Sequence, residues 1–377
     1  MLRQLDTRAI FTRLFLTWRV LGIIDWPYHR HLRVVYDILL NTFVTFGFTA
    51  HLVLGIIFST NQDQFFTNLV MGIASVSCVF KHLLYRFRMK EMQRINEVLA
   101  QHDDRVRTKE DYDYYKRLME RPCNFMVNFF ARCYFAVTIT ALIMAIVTGE
   151  LLYPAFIPLQ WHTSVFKYAV SLSFQFNGVT LLAVQNIAND AYGPVVLCML
   201  SGHVHLLSNR VSRVGHDKPD DLEDNYKALS LCIEDHKLLM STTTAVERMV
   251  SASYLVQFGS VGLNLCLGLV YLLFFADNYF AYVYYTIHIT AMLIELFPFC
   301  YYGSMLESEF YDLSYAIFSC NWPMQPRSFR RNVVNFTELT LREVTLYAGG
   351  IVRINLDSFF ATCKTGYSFF TVIQSMK

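Results

Sequence analysis

Seven stretches of this chain run for about twenty residues or more with little charge, the length a helix needs to cross the hydrocarbon of a bilayer. They are 34–58, 65–85, 125–149, 165–190, 249–275, 279–303 and 346–375. A backbone in lipid must satisfy its own hydrogen bonds, so spans of this length are helices. The expected fold is therefore an all-α membrane protein with seven transmembrane helices in a single domain covering residues 1–377. Composition agrees: 54% of residues are hydrophobic and only 16% charged, against about 25% charged in an average soluble domain. Disorder and a string of soluble domains are both excluded. The net charge of +2 gives no reason to expect a nucleic-acid partner.

Lys and Arg are divided unequally between the loops. The arm 1–33 carries six, 86–122 ten, 207–248 six and 304–345 four, whereas 59–64, 150–164 and 276–278 carry none. The positive-inside rule then puts the N-terminus in the cytosol and, with seven crossings, the C-terminus outside. A rhodopsin-like, metabotropic receptor has the opposite orientation. The first 33 residues hold only short apolar stretches, so the first span is expected to serve as the targeting signal.

The basic loops are also long. Leu222, Tyr226, Leu229, Ile233, His236 and Met240 recur at spacings of three and four, which marks a helix with one buried face. The apolar-rich stretch of the fourth span continues toward Leu207, interrupted at Gly193-Pro194, and helical spacing resumes over 327–345 after Pro326. These pieces predict a cytosolic helical bundle. The opposite loops are too short for a domain, so a small-molecule site is expected between the helices. His51 and Glu295 lie inside spans, where an ionisable group is suspect by default; a paired carboxylate and a neutral, hydrogen-bonded histidine are the plainer readings. Asn335-Phe336-Thr337 is the sole glycosylation triplet and falls on the cytosolic side, so it is expected to stay unmodified.

Nine cysteines show no metal-ligand spacing, and no metal or other cofactor is expected. Neither HExxH nor GxSxG occurs, so no enzyme is expected, and no inverted repeat points to a transporter.

The last span is the most polar. Wound as one helix at about 100° per residue, it places Arg353, Asp357, Lys364, Ser368, Thr371 and Ser375 within one arc of about 60°. That stripe suits an aqueous pore built from several copies about an axis. Alternatively, Arg353 and Asp357, four residues apart, neutralise each other.

The C-terminal third resembles the insect odorant receptors. The matching pieces are Phe299-Cys300-Tyr301-Tyr302-Gly303, Leu306-Glu307-Ser308, Ala316 with Asn321-Trp322, Ala348-Gly349-Gly350, Leu356, Phe359, and the closing Lys364-Thr365-Gly366-Tyr367-Ser368-Phe369-Phe370-Thr371-Val372. Gustatory receptors instead close on Thr-Tyr, five residues, then Gln-Phe; here Gly366-Tyr367 and Gln374-Ser375 are six apart.

The resemblance implies an odorant-gated, non-selective cation channel in the plasma membrane of olfactory neurons. A tuning subunit there joins the olfactory co-receptor in a heterotetramer, with the seventh helix of each subunit lining the pore. It carries the gate over to Val372 and Met376, with Ser375 as polar neighbour. The co-receptor's residues at the last two of these positions differ and its long cytosolic insertion is absent, so a tuning subunit is implied. The family's pocket lies in the outer half of the bundle. Candidates at that depth are Ile73 and Ser77, then Thr138, Ala141 and Ala145, then Phe174 and Gly178, and finally Tyr282 and Tyr285, which sit three apart on one helical face. Tyrosine supplies apolar area and one hydroxyl, which suits a small volatile odorant. Tyr279 is read as part of an interfacial aromatic belt.

Overall fold

The structure is a computed structural model and describes residues 5–24, 30–276 and 279–375. Helices α1 (Thr7–Val20), α2 (Arg30–Leu40) and α3 (Gly47–Ile57) come first, the last two joined without a break by a π-helical stretch, Asn41–Phe46. Helix α4 (Gln62–Gln101) follows, then the short α5 (Lys109–Tyr114), which leads through Tyr115–Glu120 into α6 (Arg121–Thr148). The longest helices are α7 (Val165–Arg213) and α8 (Leu222–Phe274). Then come α9 (Tyr279–Phe318), α10 (Arg327–Thr340), a hairpin of β1 (Tyr347–Ala348) and β2 (Val352–Arg353), and α11 (Leu356–Ser375).

The starts are capped as their sequences demand. Asn61 accepts a hydrogen bond from the Gln64 amide at 2.8 Å to open α4, and Asp221 does the same for α8 from Asp224 at 3.0 Å. Gly149, at φ 71°, closes α6 in the left-handed conformation that glycine adopts without strain.

Among the described residues, six helical stretches are long and apolar enough to cross a membrane: His31–Ile57, Gln62–Arg105, Lys109–Thr148, Val165–Arg213, Leu222–Phe274 and Tyr282–Phe318. Five of these run well beyond the 20 or so residues a bilayer needs, and they do so at the end of the molecule that holds the Lys- and Arg-rich loops, called the basic end below. There α7 is the central rod. Residues 187–204 are buried on every side, packed by α9, α6, α8 and α4. A helix with apolar residues on every face has to be enclosed in this way, and the few polar groups in this stretch, Asp190 and His203 among them, are buried with it. Gly193-Pro194 does not interrupt it, contrary to the sequence expectation: α7 runs straight through. The glycine is there for close approach, since a Cβ at 193 would lie 2.2 Å from the Tyr254 hydroxyl.

Helix α1 closes the basic end. Trp18 is fully buried, its ring 5.5 Å from that of Tyr192 and 5.9 Å from that of Tyr85. On α8 the amphipathic stretch buries Leu229, Cys232, His236 and Leu239, with the His236 ring edge-on to Phe310 and Phe336. Leu222 and Tyr226, at the tip of the same stripe, are exposed. Helix α10 packs on α9 and α8.

The seventh segment departs from expectation. Residues 346–355 are not helical. Gly349 and Gly350, at φ 61° and 70°, turn the chain between β1 and β2, a conformation that side chains with a Cβ resist. Gly349 donates to the Ser251 carbonyl at 3.0 Å, which ties the turn to α8. Arg353 therefore leaves the polar stripe. Its guanidinium binds Glu307 at 3.0 Å and Glu343 at 2.8 Å, and the proposed Arg353–Asp357 helical pair does not form.

Candidate ligand-binding and conduction elements

At the end opposite the basic loops, α3, α7 and the loop before α7 build an aromatic cluster. The Phe48 ring lies 6.3 Å from Phe174 and 6.4 Å from Tyr153, and Phe174 is edge-on to His51 at 5.4 Å. Gly178 makes room for it, because a Cβ there would sit 2.4 Å from the Phe48 ring. His51 is buried and fully partnered. Its Nδ1 lies 2.7 Å from the Phe156 carbonyl and its Nε2 3.0 Å from the Gln175 amide nitrogen. A side-chain amide nitrogen can only donate, so Nε2 accepts and the proton is on Nδ1, donated to the carbonyl. Gln175 also donates to the Tyr153 carbonyl at 2.9 Å and accepts from the Tyr153 amide at 3.1 Å. His51 thus holds the loop onto the bundle. Phe48, Tyr153 and Gln175 were not singled out from the sequence; each is unremarkable until the loop folds back.

The remaining candidates fall in several places. Phe174 and Gly178 belong to this cluster. Ser77 is buried on α4, and its hydroxyl has no protein partner. Ile73, one turn away on the same helix, is half-buried. Thr138 is buried on α6 but spends its hydroxyl on the Tyr134 carbonyl at 2.8 Å. Ala141 is half-buried, and the buried Ala145 accepts from the Tyr168 hydroxyl at 2.8 Å through its carbonyl. Tyr285 is buried, stacked on Tyr271 at 3.9 Å, with its hydroxyl 3.4 Å from Thr67. Tyr282 and Tyr279 are 47% and 77% exposed, so the structure separates Tyr282 from Tyr285 despite their helical spacing.

A second constellation joins five helices where the spans meet the basic end. The Lys81 ammonium of α4 lies 2.5 Å from Asp190 of α7, 2.7 Å from Gln257 of α8 and 3.4 Å from Glu295 of α9. From α6, the Tyr134 hydroxyl donates to Asp190 at 2.9 Å. Glu295 is therefore a paired carboxylate. Lys81 and Asp190 fall inside the expected spans 65–85 and 165–190, near their ends, and were not singled out from the sequence; only the packing brings them together. Burying such groups is tolerable because each is paired and hydrogen-bonded.

Helix α11 has two unlike faces. Phe359, Thr362, Cys363, Gly366 and Phe370 turn toward α8 and α9, and the Gly366 position lies against Leu265. Opposite them, Asp357, Ala361, Lys364, Ser368, Val372 and Ser375 form an exposed stripe at spacings of three and four. Val372 and Ser375 share that stripe, Val372 being 54% exposed. Met376 lies outside the described residues.

A helical bundle with membrane-length helices, an aromatic-lined end and one helix presenting a polar face is the architecture of a multi-pass membrane protein. The profile of the seven-transmembrane odorant receptor family (7tm Odorant receptor) matches residues 61–367. Odorant receptor 33a of Drosophila melanogaster is 36% identical across 100% of this chain and 99% of its own length. Odorant receptor 33b of the same fly is 34% identical, with the same coverage. Among solved structures, the olfactory receptor OR5 of Machilis hrabei superposes with a TM-score of 0.80 over 98% of each chain at 14% identity. Its complex with eugenol gives 0.78 over 98% of this chain and 99% of that one. The chain belongs to the insect odorant receptor family, on the side of the tuning receptors rather than the co-receptor, and is no enzyme.

Proposed function

We propose that this chain is the odorant-binding subunit of a heteromeric, odorant-gated, non-selective cation channel in the plasma membrane. Its N-terminus is cytosolic, its C-terminus extracellular, and the olfactory co-receptor is its partner in a heterotetramer. The observation that carries the reading is the exposed stripe of α11, where Asp357, Lys364, Ser368 and Ser375 face away from the bundle. One helix with a polar face in a membrane needs water or polar partners there, and copies around an axis supply both. A small volatile with one polar group binds in the outer half. Support comes from the aromatic cluster about Phe48 and Phe174, from the unpartnered Ser77 hydroxyl, and from a fold shared with a receptor solved with eugenol.

Current recording from cells expressing the chain with and without the co-receptor tests the assignment. Odorant current is expected only with the partner, and large currents from the chain alone would overturn the heteromer. In the heteromer, Val372→Ser wets an apolar position on the stripe and is expected to raise resting current or alter permeation while leaving the rank order of odorants intact. Unchanged basal current and ion permeability would remove Val372 from the conduction path. A tag after Lys377 should be reached by antibody on intact cells, and a tag before Met1 should not.

A further inference from the structure

Where helices α4 and α8 leave the spans, beside the 347–353 hairpin, their facing side chains enclose a groove of about 620 Å³. Its walls change character along its length. Toward the middle of the spans lie Phe80, Leu255 and Val256, with Phe80 42% and Leu255 36% exposed. Toward the basic end lie Arg88, Glu91 and Arg248. The eight residues from Phe80 to Arg88 rise about 12 Å, and the seven from Arg248 to Leu255 about 10 Å. The two helices run in opposite directions along the bundle, so both contribute apolar residues above and guanidinium groups below. Arg88 reaches across the gap, its Nη1 donating to the backbone carbonyls of Arg248 and Met249. Arg248 is exposed.

We propose that this groove binds a phospholipid of the phosphatidylserine class. Arg88 and Arg248 take the headgroup phosphate and carboxylate, Glu91 faces the ammonium, and an acyl chain lies along Phe80, Leu255 and Val256. Charge complementarity selects this occupant. Two cations and one anion line the polar end, and the phosphatidylserine headgroup offers two anions and one cation. The apolar wall belongs to membrane-spanning helix, where the medium outside the protein is itself lipid. Assigning the lipid to the cytosolic leaflet rests on the orientation proposed above; the binding chemistry does not.

Nanodiscs with both leaflets alike make the test independent of orientation. The full-length chain, with whatever partner subunit it needs, is reconstituted in phosphatidylcholine containing equal amounts of phosphatidylserine and phosphatidylglycerol. The retained lipids are then counted by native mass spectrometry. Phosphatidylserine is expected to be retained over both others. Arg248→Gln, at an exposed side chain, should lower its retention by about fivefold, the worth of one basic residue at a lipid surface. Arg88→Gln should do the same, and Glu91→Gln should erase the preference over phosphatidylglycerol while keeping the preference for anionic lipid. Equal retention of the three lipids, or an unaltered count in Arg248→Gln, would overturn the site. So would self-crosslinking of Leu255→Cys between two copies, which would make the groove a protein interface. An orientation error would appear only in the accessibility of the terminal tags.

Discussion

The two ends of this bundle are held together in different ways. At the basic end, residues 187–204 of α7 are enclosed on all sides, and two of the arginines are tied to carboxylates, Arg210 to Asp235 at 2.7 Å and Arg213 to Asp111 at 2.7 Å. At the other end, α6 exposes Ile139, Ile143, Ile146 and Val147, α11 exposes a whole stripe, and the aromatic cluster is closed by a loop pinned through His51 and Gln175. One end is built around an enclosed rod, although Tyr311, Met324 and Leu341 on its outside stay exposed. The other leaves faces for lipid, ligand or further subunits to complete. Receptors need both: a rigid frame to fix helix positions, and a softer half whose helices a ligand can shift. The Lys81 cluster lies at the seam and ties together side chains of five helices.

The most damaging substitution should strike that seam. Lys81→Met leaves Asp190 and Glu295 buried without their cation, and removing one partner of a buried ion pair costs on the order of 3–5 kcal/mol. We expect loss of surface expression and of a cooperative melt. Normal surface levels with an unchanged melting temperature would show that the seam carries no such stress, and would dissolve the contrast between the ends.

A matched pair of glycine substitutions sharpens the contrast. A Cβ at Gly193 meets the Tyr254 hydroxyl at 2.2 Å inside the enclosed rod, and a Cβ at Gly178 meets the Phe48 ring at 2.4 Å in the aromatic cluster. The clashes are similar and the surroundings are not. Overpacking a filled core costs about 1–3 kcal/mol, so Gly193→Ala should lower the melting temperature clearly. Phe48 has half-exposed neighbours and can yield, so Gly178→Ala should melt more nearly as the unmutated chain does, yet change which odorants act. Equal thermal losses with no change in odorant response would mean that both ends are equally rigid.

Acid should test the packing of the basic end. His102 and His203 are buried at the basic end with ring centroids 5.2 Å apart. Burial pushes His102 down to about 4, with Arg210 and Arg105 adding and Asp235 opposing. Burial, then His102 and Arg210, hold His203 well below its ordinary value. Both are depressed, so the folded state binds fewer protons than the unfolded one. Their contribution is intact above about 6.5 and is lost as the pH falls through 6.5 toward about 4. Hydrogen exchange should show the basic end loosening between pH 7 and pH 5, by about 2 kcal/mol. Unchanged exchange around His102 and His203 at pH 5 would remove this pair as a source of acid sensitivity.

The spans and the stripe were legible because each follows from a local period: apolar length for the helices, and spacings of three and four for Lys364, Ser368 and Ser375. The hairpin was missed because Gly349-Gly350 sits between apolar neighbours that suit a helix equally well, and only its bonds to Ser251 on α8 settle the matter. Gly193-Pro194 misled in the opposite direction, since close packing and chain breaking call for the same residues. The cluster about Lys81 joins positions up to 214 residues apart. No spacing rule reaches that far. Tyr282 and Tyr285 show the same limit, because helical spacing says which residues share a side and not how wide the buried side is.

That last pair provides the gentlest comparison, within one helix of the softer end. Tyr285 is buried on Tyr271, and its 3.4 Å approach to Thr67 is long for a hydrogen bond. Tyr285→Phe keeps the stacked ring and loses a bond worth no more than about 1 kcal/mol, so odorant potency should fall by less than about fivefold. Tyr282→Ala trims a side chain that is 47% exposed, and surface substitutions of this kind stay within about 0.5 kcal/mol, roughly twofold. Dose–response curves on matched surface levels can resolve the two. A larger loss from Tyr282→Ala than from Tyr285→Phe would mean that the exposed ring is covered in the assembled receptor. The polar face of α11 would then have company at this end, and the line between the enclosed rod and the open half would move outward by a helical turn.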